Sequence, residues 1–236
     1  KIVMLMVPDH DEDEDFSLKY INTGLLSTGE LSILQARKEV QQYAMRVTKM
    51  FEFVKESYNS GSGKKYNKCL ARIRKYEDVS DRMEVEIASY LTRITEESFS
   101  SAGSENITSM LNIISNIESI ADSNNKLADT IERMNANKAR FTKEMDRNLN
   151  KLFTLIDQIL KEMNNGFSRE ETLTFSGNNR NLRRDLQKAD RALKEEHFKN
   201  LRKNRYKCSV GIIYSDMYSE VINLGNYALN VCDLLI

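Results

Sequence analysis

The stretch SENITSMLNIISNIESIADSNNKLADTIERM, residues 104–134, has the most regular hydrophobic pattern in the chain and decides its fold class. Its inward-facing positions recur at steps of three and four: Ile107, Met110, Ile114, Ile117, Ala121, Asn124, Ala128 and Ile131. This spacing is typical of a helix whose one face packs against other helices in a bundle. The stretch therefore predicts a long core helix in an all-α protein.

The same period predicts five further helices on either side of this one. Their predicted ranges are 30–58, 64–96, 137–164, 180–205 and 209–235. Glycine and serine clusters at 60–63 and 100–103 predict two of the breaks, and Asn164-Asn165-Gly166 predicts a helix C-cap. Residues 167–179 are predicted to be a looser stretch, in which Leu173-Thr174-Phe175 alternates between apolar and polar residues.

We predict two tandem antiparallel three-helix bundles, residues 30–135 and 136–236, after an N-terminal stub and acidic linker at residues 1–29. Residues 117–127 align with residues 221–231 at an offset of 104, with coincident apolar positions. Ala121 then aligns with Gly225, although no residue of the segment is identical. This pattern is weak evidence for an internal duplication.

Composition and motifs exclude several classes of function. Lys plus Arg and Asp plus Glu both number 35, so no net charge favours nucleic acid. The three cysteines, Cys69, Cys208 and Cys232, are widely spaced and predict reduced thiols. The sequence has no Gly-rich phosphate loop, Gly-x-Ser-x-Gly motif or paired Cys/His nucleophile, so we predict that it is not an enzyme.

Carboxylates form two groups on helices that we expect to be neighbours. Glu77, Asp78 and Asp81 lie on the second predicted helix, and Glu118 and Asp122 on the third. Residues four apart share a helix face, so Glu77 aligns with Asp81 and Glu118 with Asp122. With the turn centred near residue 100, antiparallel helices bring Asp81 level with the pair on the third helix.

These carboxylates predict a site for a hard cation: Mg²⁺, Mn²⁺, Ca²⁺ or iron. A ferritin-like di-iron site is disfavoured because the sequence has no Glu-x-x-His motif. The alternative is a solvated polar stripe on the third helix, formed by Ser115, Glu118, Asp122, Asn125 and Asp129. In that case its charge would be neutralised by Arg72, Arg74, Arg82 or Lys126. The spacing of the residues leaves both interpretations open.

The fifth predicted helix is rich in cations. Residues 180–207 contain eleven Lys and Arg against four Asp and Glu, a local charge of +7. Such a helix either presents an ordinary solvated face or makes a weak, salt-sensitive contact with anionic lipid. His197, in the same helix, is expected at its surface or capping a contact.

Together these features resemble the PhoU family of phosphate regulators. Glu118-Ser-Ile-Ala-Asp122 is similar to the acidic Glu-x-x-x-Asp motif of that family. Residues 26–40, 194–201 and 208–210 are more specifically similar to the PhoU-like tail of bacterial sodium/phosphate cotransporters. The resemblance runs from Leu25 to the end and implies a cation at the first-repeat carboxylates. Ile222 and Asn226 replace the motif in the second repeat, so a second cluster is not expected there.

The resemblance implies a regulatory domain on the cytoplasmic face of the bacterial inner membrane. Its partner would be the membrane transport domain of the same polypeptide, with Ile2–Val7 and Pro8 as the exit of that domain, and a phosphate-signalling protein is a further candidate partner. Transport itself would belong to the membrane part. The alternatives are a free-standing PhoU-like regulator of phosphate uptake, or a structural helical bundle without a ligand.

Overall fold

The computed structural model describes residues 16–21, 29–95, 101–168 and 173–235. These residues form six helices: α1 (Gly29–Ser60), α2 (Lys64–Thr95), α3 (Ser101–Ala136), α4 (Lys143–Gly166), α5 (Leu173–Arg202) and α6 (Cys208–Leu234). The described residues contain no strand, which confirms the all-α prediction. None of these helices is long and apolar enough to cross a membrane. The predicted stub at Ile2–Pro8 lies outside the described residues.

The helices form two three-helix bundles, as predicted. In each half of the chain, α1–α3 and α4–α6, all three helices contact one another. The bundles meet mainly through α3 and α6, and also through α1 and α4. Asn116 hydrogen-bonds Asn230 at 3.2 Å, and Arg133 pairs with Asp216, so α3 and α6 run antiparallel.

The structure corrects two predicted helix starts. The fourth helix begins at Lys143, not at residue 137, because the Thr142 side chain caps it by accepting the Met145 N–H at 3.2 Å. Lys138, with a φ of 49°, lies in the preceding turn. The fifth helix begins at Leu173, so residues 173–179 are helical and not loose. Their glycine and asparagines are weak helix formers, so the sequence did not predict a helix over these residues.

Gly225 allows α6 to approach its neighbours closely. A Cβ at this position would lie 2.6 Å from Ile156 Cδ1 of α4 and 2.9 Å from Leu186 Cδ2 of α5. The aligned residue in α3, Ala121, is buried in the first bundle. Both small residues of the proposed duplication are therefore buried, and Gly225 lies where three helices pack closely. Gly166, in contrast, is the last residue of α4, and its φ is not positive. The C-cap is Phe167, so the predicted glycine cap is wrong.

His197 is buried in an aromatic cluster, with only 6% of its surface exposed, so its predicted place at the helix surface is wrong. Its Nδ1 lies 2.8 Å from the Tyr206 hydroxyl, and the two rings stack. Tyr214 and Tyr218 of α6 contact the same imidazole. Burial lowers the pKa of His197, because the charged imidazolium would lose its hydration.

Residues 16–21 pack on the first bundle, although they belong to the predicted linker. One carboxylate oxygen of Glu39, a fully buried residue of α1, accepts the backbone N–H groups of Lys19 and Tyr20 at 2.9 and 2.8 Å. The Phe16 ring meets Tyr76 of α2 edge to face at 5.5 Å. Ile21 is buried. This segment therefore ties the chain before α1 to both α1 and α2.

Candidate cation site between α2 and α3

The structure brings the predicted carboxylates of α2 and α3 together. The pKa of Glu118 is raised, first by burial and then by the negative charges of Asp122, Glu84 and Asp81. Two of these three charges come from α2. The charge of Asp81 therefore acts on Glu118, which agrees with the expected register of the two helices.

Glu77 belongs to the same cluster. Burial is the largest cause of its raised pKa, followed by Asp81, Asp78 and Asp122, while Arg74 acts in the opposite direction. Asp78 is exposed and is not among the groups that raise the pKa of Glu118. Glu77 thus faces α3, whereas Asp78 lies at the margin of the cluster.

The sequence interpretation did not include Glu84 in the site. The pKa of Glu84 is raised by burial and by Asp81, and its charge acts on Glu118. The signal was present in the spacing: Glu77, Asp81 and Glu84 follow one another at steps of four and three, which place them on one helix face. We call Glu77, Asp81, Glu84, Glu118 and Asp122 the carboxylate cluster.

Basic residues neutralise one end of the polar stripe on α3. Lys126 Nζ lies 2.9 Å from Asp122. Arg74 bonds Asn125 and Asp129, and it lies 2.7 Å from Glu132. The alternative of a neutralised stripe therefore describes the part of α3 from Asp122 onward.

The rest of the carboxylate cluster is not neutralised in this way. Within the described ranges, no Lys or Arg forms a salt bridge with Glu77, Asp81, Glu84 or Glu118. Of the other predicted counter-charges, Arg72 lies over the Phe53 ring at 5.2 Å, and Arg82 donates to the Asp78 backbone carbonyl at 3.4 Å. Four acids of the two helices thus lie close enough for their charges to interact, without a salt-bridge partner among the described residues.

The side chains of the described carboxylate cluster are not arranged as metal ligands in this structure. Among the residues that the structure describes, no three His, Cys, Asp or Glu side chains are placed to hold one ion. A cation between α2 and α3 would require carboxylates to rotate toward it. Glu77 and Glu118 are half-buried and Asp81 is exposed, which leaves room for such a rotation.

A buried hydrogen bond between α1 and α2 lies near the carboxylate cluster. The hydroxyl of Tyr43, a fully buried residue of α1, lies 2.7 Å from the hydroxyl of Ser80 on α2. Burial is the main cause that raises the pKa of Tyr43, and the charges of Glu84, Glu118 and Asp81 add to it. All three helices of the first bundle therefore contribute to the surroundings of these acids.

The second bundle has no equivalent cluster among its described residues. Ile222 is buried where the first bundle has Glu118, and Asn226 replaces Asp122. Asp190 pairs with Lys194 at 2.8 Å, and Asp185 lies 3.8 Å from Lys188. These two acids of α5 are therefore each next to a lysine of the same helix.

Comparison with protein families places the carboxylate cluster in a known domain. Residues 40–131 match the family model described as PhoU domain. The first bundle matches the PhoU domain. The matched range covers most of α1, all of α2 and α3 as far as Ile131, and it contains every residue of the carboxylate cluster.

Solved PhoU structures share the fold of both bundles. PhoU from Pseudomonas aeruginosa has a TM-score of 0.71 at 16% identity, over 88% of this chain and 96% of that chain. The phosphate transport system regulatory protein PhoU from Streptococcus pneumoniae has a TM-score of 0.75 at 14% identity, over 88% and 94%. At these identities the likeness establishes the fold alone. No curated protein matches the chain in sequence.

Proposed function

We propose that the chain is a free-standing PhoU-like regulator of a phosphate transport system. The match of residues 40–131 to the PhoU domain carries this proposal. The same fold extends over the second bundle and is shared with a Streptococcus pneumoniae protein that is named as a phosphate transport system regulator. Regulation by such a protein would act through binding to a transport or signalling protein.

A second candidate is the regulatory tail of a sodium/phosphate cotransporter. It rests on the resemblance of residues 26–40 and 194–201 to such tails. One structural feature fits it: residues 16–21 return to α1 and α2 and are held there by Glu39. A membrane domain that preceded this segment would be coupled mechanically to the first bundle.

Phosphate uptake in the host distinguishes the two candidates. The codons for residues 30–236 are deleted from the genome, and initial uptake of radiolabelled phosphate is measured in sodium medium and in choline medium. A free-standing regulator changes uptake in both media, whereas a cotransporter tail changes only the sodium-dependent part. Identical uptake with and without the deletion, at limiting and at ample phosphate, would overturn both candidates.

We also propose that a hard cation binds at the carboxylate cluster: Mg²⁺, Mn²⁺, Ca²⁺ or iron. Glu77, Asp81, Glu118 and Asp122 would supply the oxygens, and Asp78 lies at the margin. The proposal is supported by the raised pKa values of Glu77 and Glu118 and by the absence of basic partners for most of the described cluster. A bound cation would relieve the repulsion between α2 and α3 and so tighten the first bundle.

A further inference from the structure

The positive charge of α5 is concentrated at one end of the helix. Residues 180–196 contain six cations and four acids, whereas residues 197–207 contain five cations and no acid. We call residues 197–207 the hairpin tip, because they form the end of α5 and its connection to α6. The cations of the hairpin tip are Lys199, Arg202, Lys203, Arg205 and Lys207, and all five are exposed.

The two parts of α5 also differ in how their cations are paired. Before the hairpin tip, Arg183 lies 2.6 Å from Asp233 and Lys194 lies 2.8 Å from Asp190. Lys188 approaches Asp185 at 3.8 Å. In the hairpin tip, none of the five cations has an acidic partner among the described residues. The first part of α5 is therefore largely neutralised by its own acids and by Asp233, whereas the tip carries uncompensated positive charge.

A second basic connection adjoins the hairpin tip. Residues 137–143, which are the connection between α3 and α4 and the first residue of α4, contain three exposed cations and no acid. The Phe141 ring of this connection lies 5.5 Å from Tyr214, which lies 5.9 Å from His197 of the hairpin tip. We call these two segments the basic end. The nearest acids along the chain, Glu144 and Glu196, are half-buried, and Glu196 accepts a hydrogen bond from Asn148.

Two large apolar side chains are exposed beside these cations. Phe198 is 59% exposed and Ile212, in the first turns of α6, is 53% exposed. Headgroup phosphates attract Lys and Arg, while aromatic and aliphatic side chains favour the boundary between headgroups and acyl chains. Nucleic acid would also attract the cations, but it offers no apolar layer for an isoleucine. The combination favours a lipid surface.

We propose that the basic end docks on an anionic lipid bilayer, with its cations among the headgroups and Phe198 and Ile212 at the interface. The antiparallel packing places the connections 61–63, 137–142 and 203–207 at this same end. Asp81 lies 17 residues into α2, so the carboxylate cluster would remain roughly 25 Å above the membrane. The inference is independent of the proposed function, because it uses neither phosphate nor a protein partner.

Sedimentation with lipid vesicles tests the proposal. The protein is mixed with vesicles of phosphatidylcholine, or of phosphatidylcholine with phosphatidylglycerol, at several salt concentrations. We expect binding only to the anionic vesicles and weaker binding as salt rises. Neutralising three tip cations (Arg202→Gln, Lys203→Gln, Arg205→Gln) should lower the partition coefficient about a hundredfold.

A matched variant separates the hairpin tip from the rest of α5. Arg180→Gln, Arg184→Gln and Arg191→Gln remove the same charge from exposed positions outside the tip, and they should change binding less than about threefold. Far-ultraviolet circular dichroism and the unfolding temperature check that both triple variants are folded. Phe198→Ser with Ile212→Ser should weaken binding while leaving its salt dependence unchanged.

The native cysteines provide a direct probe of the bound orientation. Cys208 is exposed next to the hairpin tip, whereas Cys69 and Cys232 are buried. A polarity-sensitive fluorophore on Cys208 should shift to the blue with anionic vesicles. The proposal would be overturned by absence of binding, by equal losses in the two triple variants, by an unshifted fluorophore on bound protein, or by an oligonucleotide that displaces the vesicles completely at equal charge concentration.

Discussion

Lys55 of α1 donates to both carboxylate oxygens of Asp157 of α4, each at 2.7 Å, across the contact between the two bundles. Burial lowers the pKa of Lys55, but its hydrogen bonds to Asp157 and Glu52 and their negative charges outweigh burial and raise the pKa overall. The Phe51 and Phe153 rings meet edge to face at 5.8 Å on the same two helices. A charged pair and an aromatic pair therefore set how α1 lies on α4.

A double-mutant cycle on this pair tests its role in joining the bundles. Lys55→Met and Asp157→Asn should show a coupling of about 1 kcal/mol in the free energy of unfolding by urea, because Lys55 is largely shielded from water. The control is the Lys65–Glu56 pair, at 2.9 Å but exposed on both sides, whose coupling should be near zero. Equal coupling in the two cycles would contradict a special role for the inter-bundle pair.

Glu39 is predicted to hold residues 16–21 against the first bundle. Glu39→Ala should cost about 2 kcal/mol in the free energy of unfolding, because it leaves two backbone N–H groups without their acceptor. Hydrogen exchange at Lys19 and Tyr20 should become faster, while exchange in the middle of α3 stays slow. Glu86→Ala, at an exposed position of α2, is the control. Unchanged exchange at these two amides in the Glu39 variant would show that the segment is held by other contacts.

The buried His197 predicts a specific dependence of stability on pH. Folding lowers its pKa, so the unfolded chain binds the proton more readily, and stability falls as pH drops below the unfolded value of about 6.5. The slope can reach at most about 1.4 kcal/mol per pH unit for this one group. Compared with the parent protein, His197→Gln should show a flatter curve of unfolding free energy between pH 7 and pH 5. Parallel curves would contradict this assignment.

The sequence allowed much of the helical framework to be predicted, because helical periodicity is a local property. The periodic apolar face of α3 and the placement of Asp81 level with the Glu118–Asp122 pair needed only the period and the rise per residue of a helix. The start of α4 was missed because it depends on the side-chain cap at Thr142, and the start of α5 because its first residues include weak helix formers. The choice of Arg74 as the partner of the α3 stripe, and of Glu39 as the clamp, depends on side-chain placement between distant segments.

Glu118 is predicted to destabilise the protein when no cation is bound. Its raised pKa means that folding favours the protonated acid, so its contribution is present at pH below about 4.5 and is lost as pH rises through the higher folded value. In chelator at pH 7, Glu118→Gln should therefore stabilise the fold by about 0.5 kcal/mol. Mn²⁺ or Mg²⁺ should raise the unfolding temperature of the parent protein but not of Glu118→Gln with Asp122→Asn.

Glu105→Gln, at an exposed position of α3 away from the cluster, is the matched control for the cation measurement. It should retain the full cation-induced shift. A shift that persists in the double variant would place any bound cation elsewhere. No shift in the parent protein with Mg²⁺, Mn²⁺, Ca²⁺ or Fe²⁺ would favour the solvated-stripe interpretation.

Complementation of the deletion tests most directly whether this chain regulates phosphate transport through its first bundle. Cells without residues 30–236 receive the parent sequence, Glu118→Gln with Asp122→Asn, or Glu105→Gln, and radiolabelled phosphate uptake is measured at equal protein levels. We predict that the parent and Glu105→Gln restore the original uptake, whereas the double variant does not. Restoration by all three would contradict a role for the carboxylate cluster. Phosphate uptake that does not change when residues 30–236 are deleted would contradict regulation of phosphate transport.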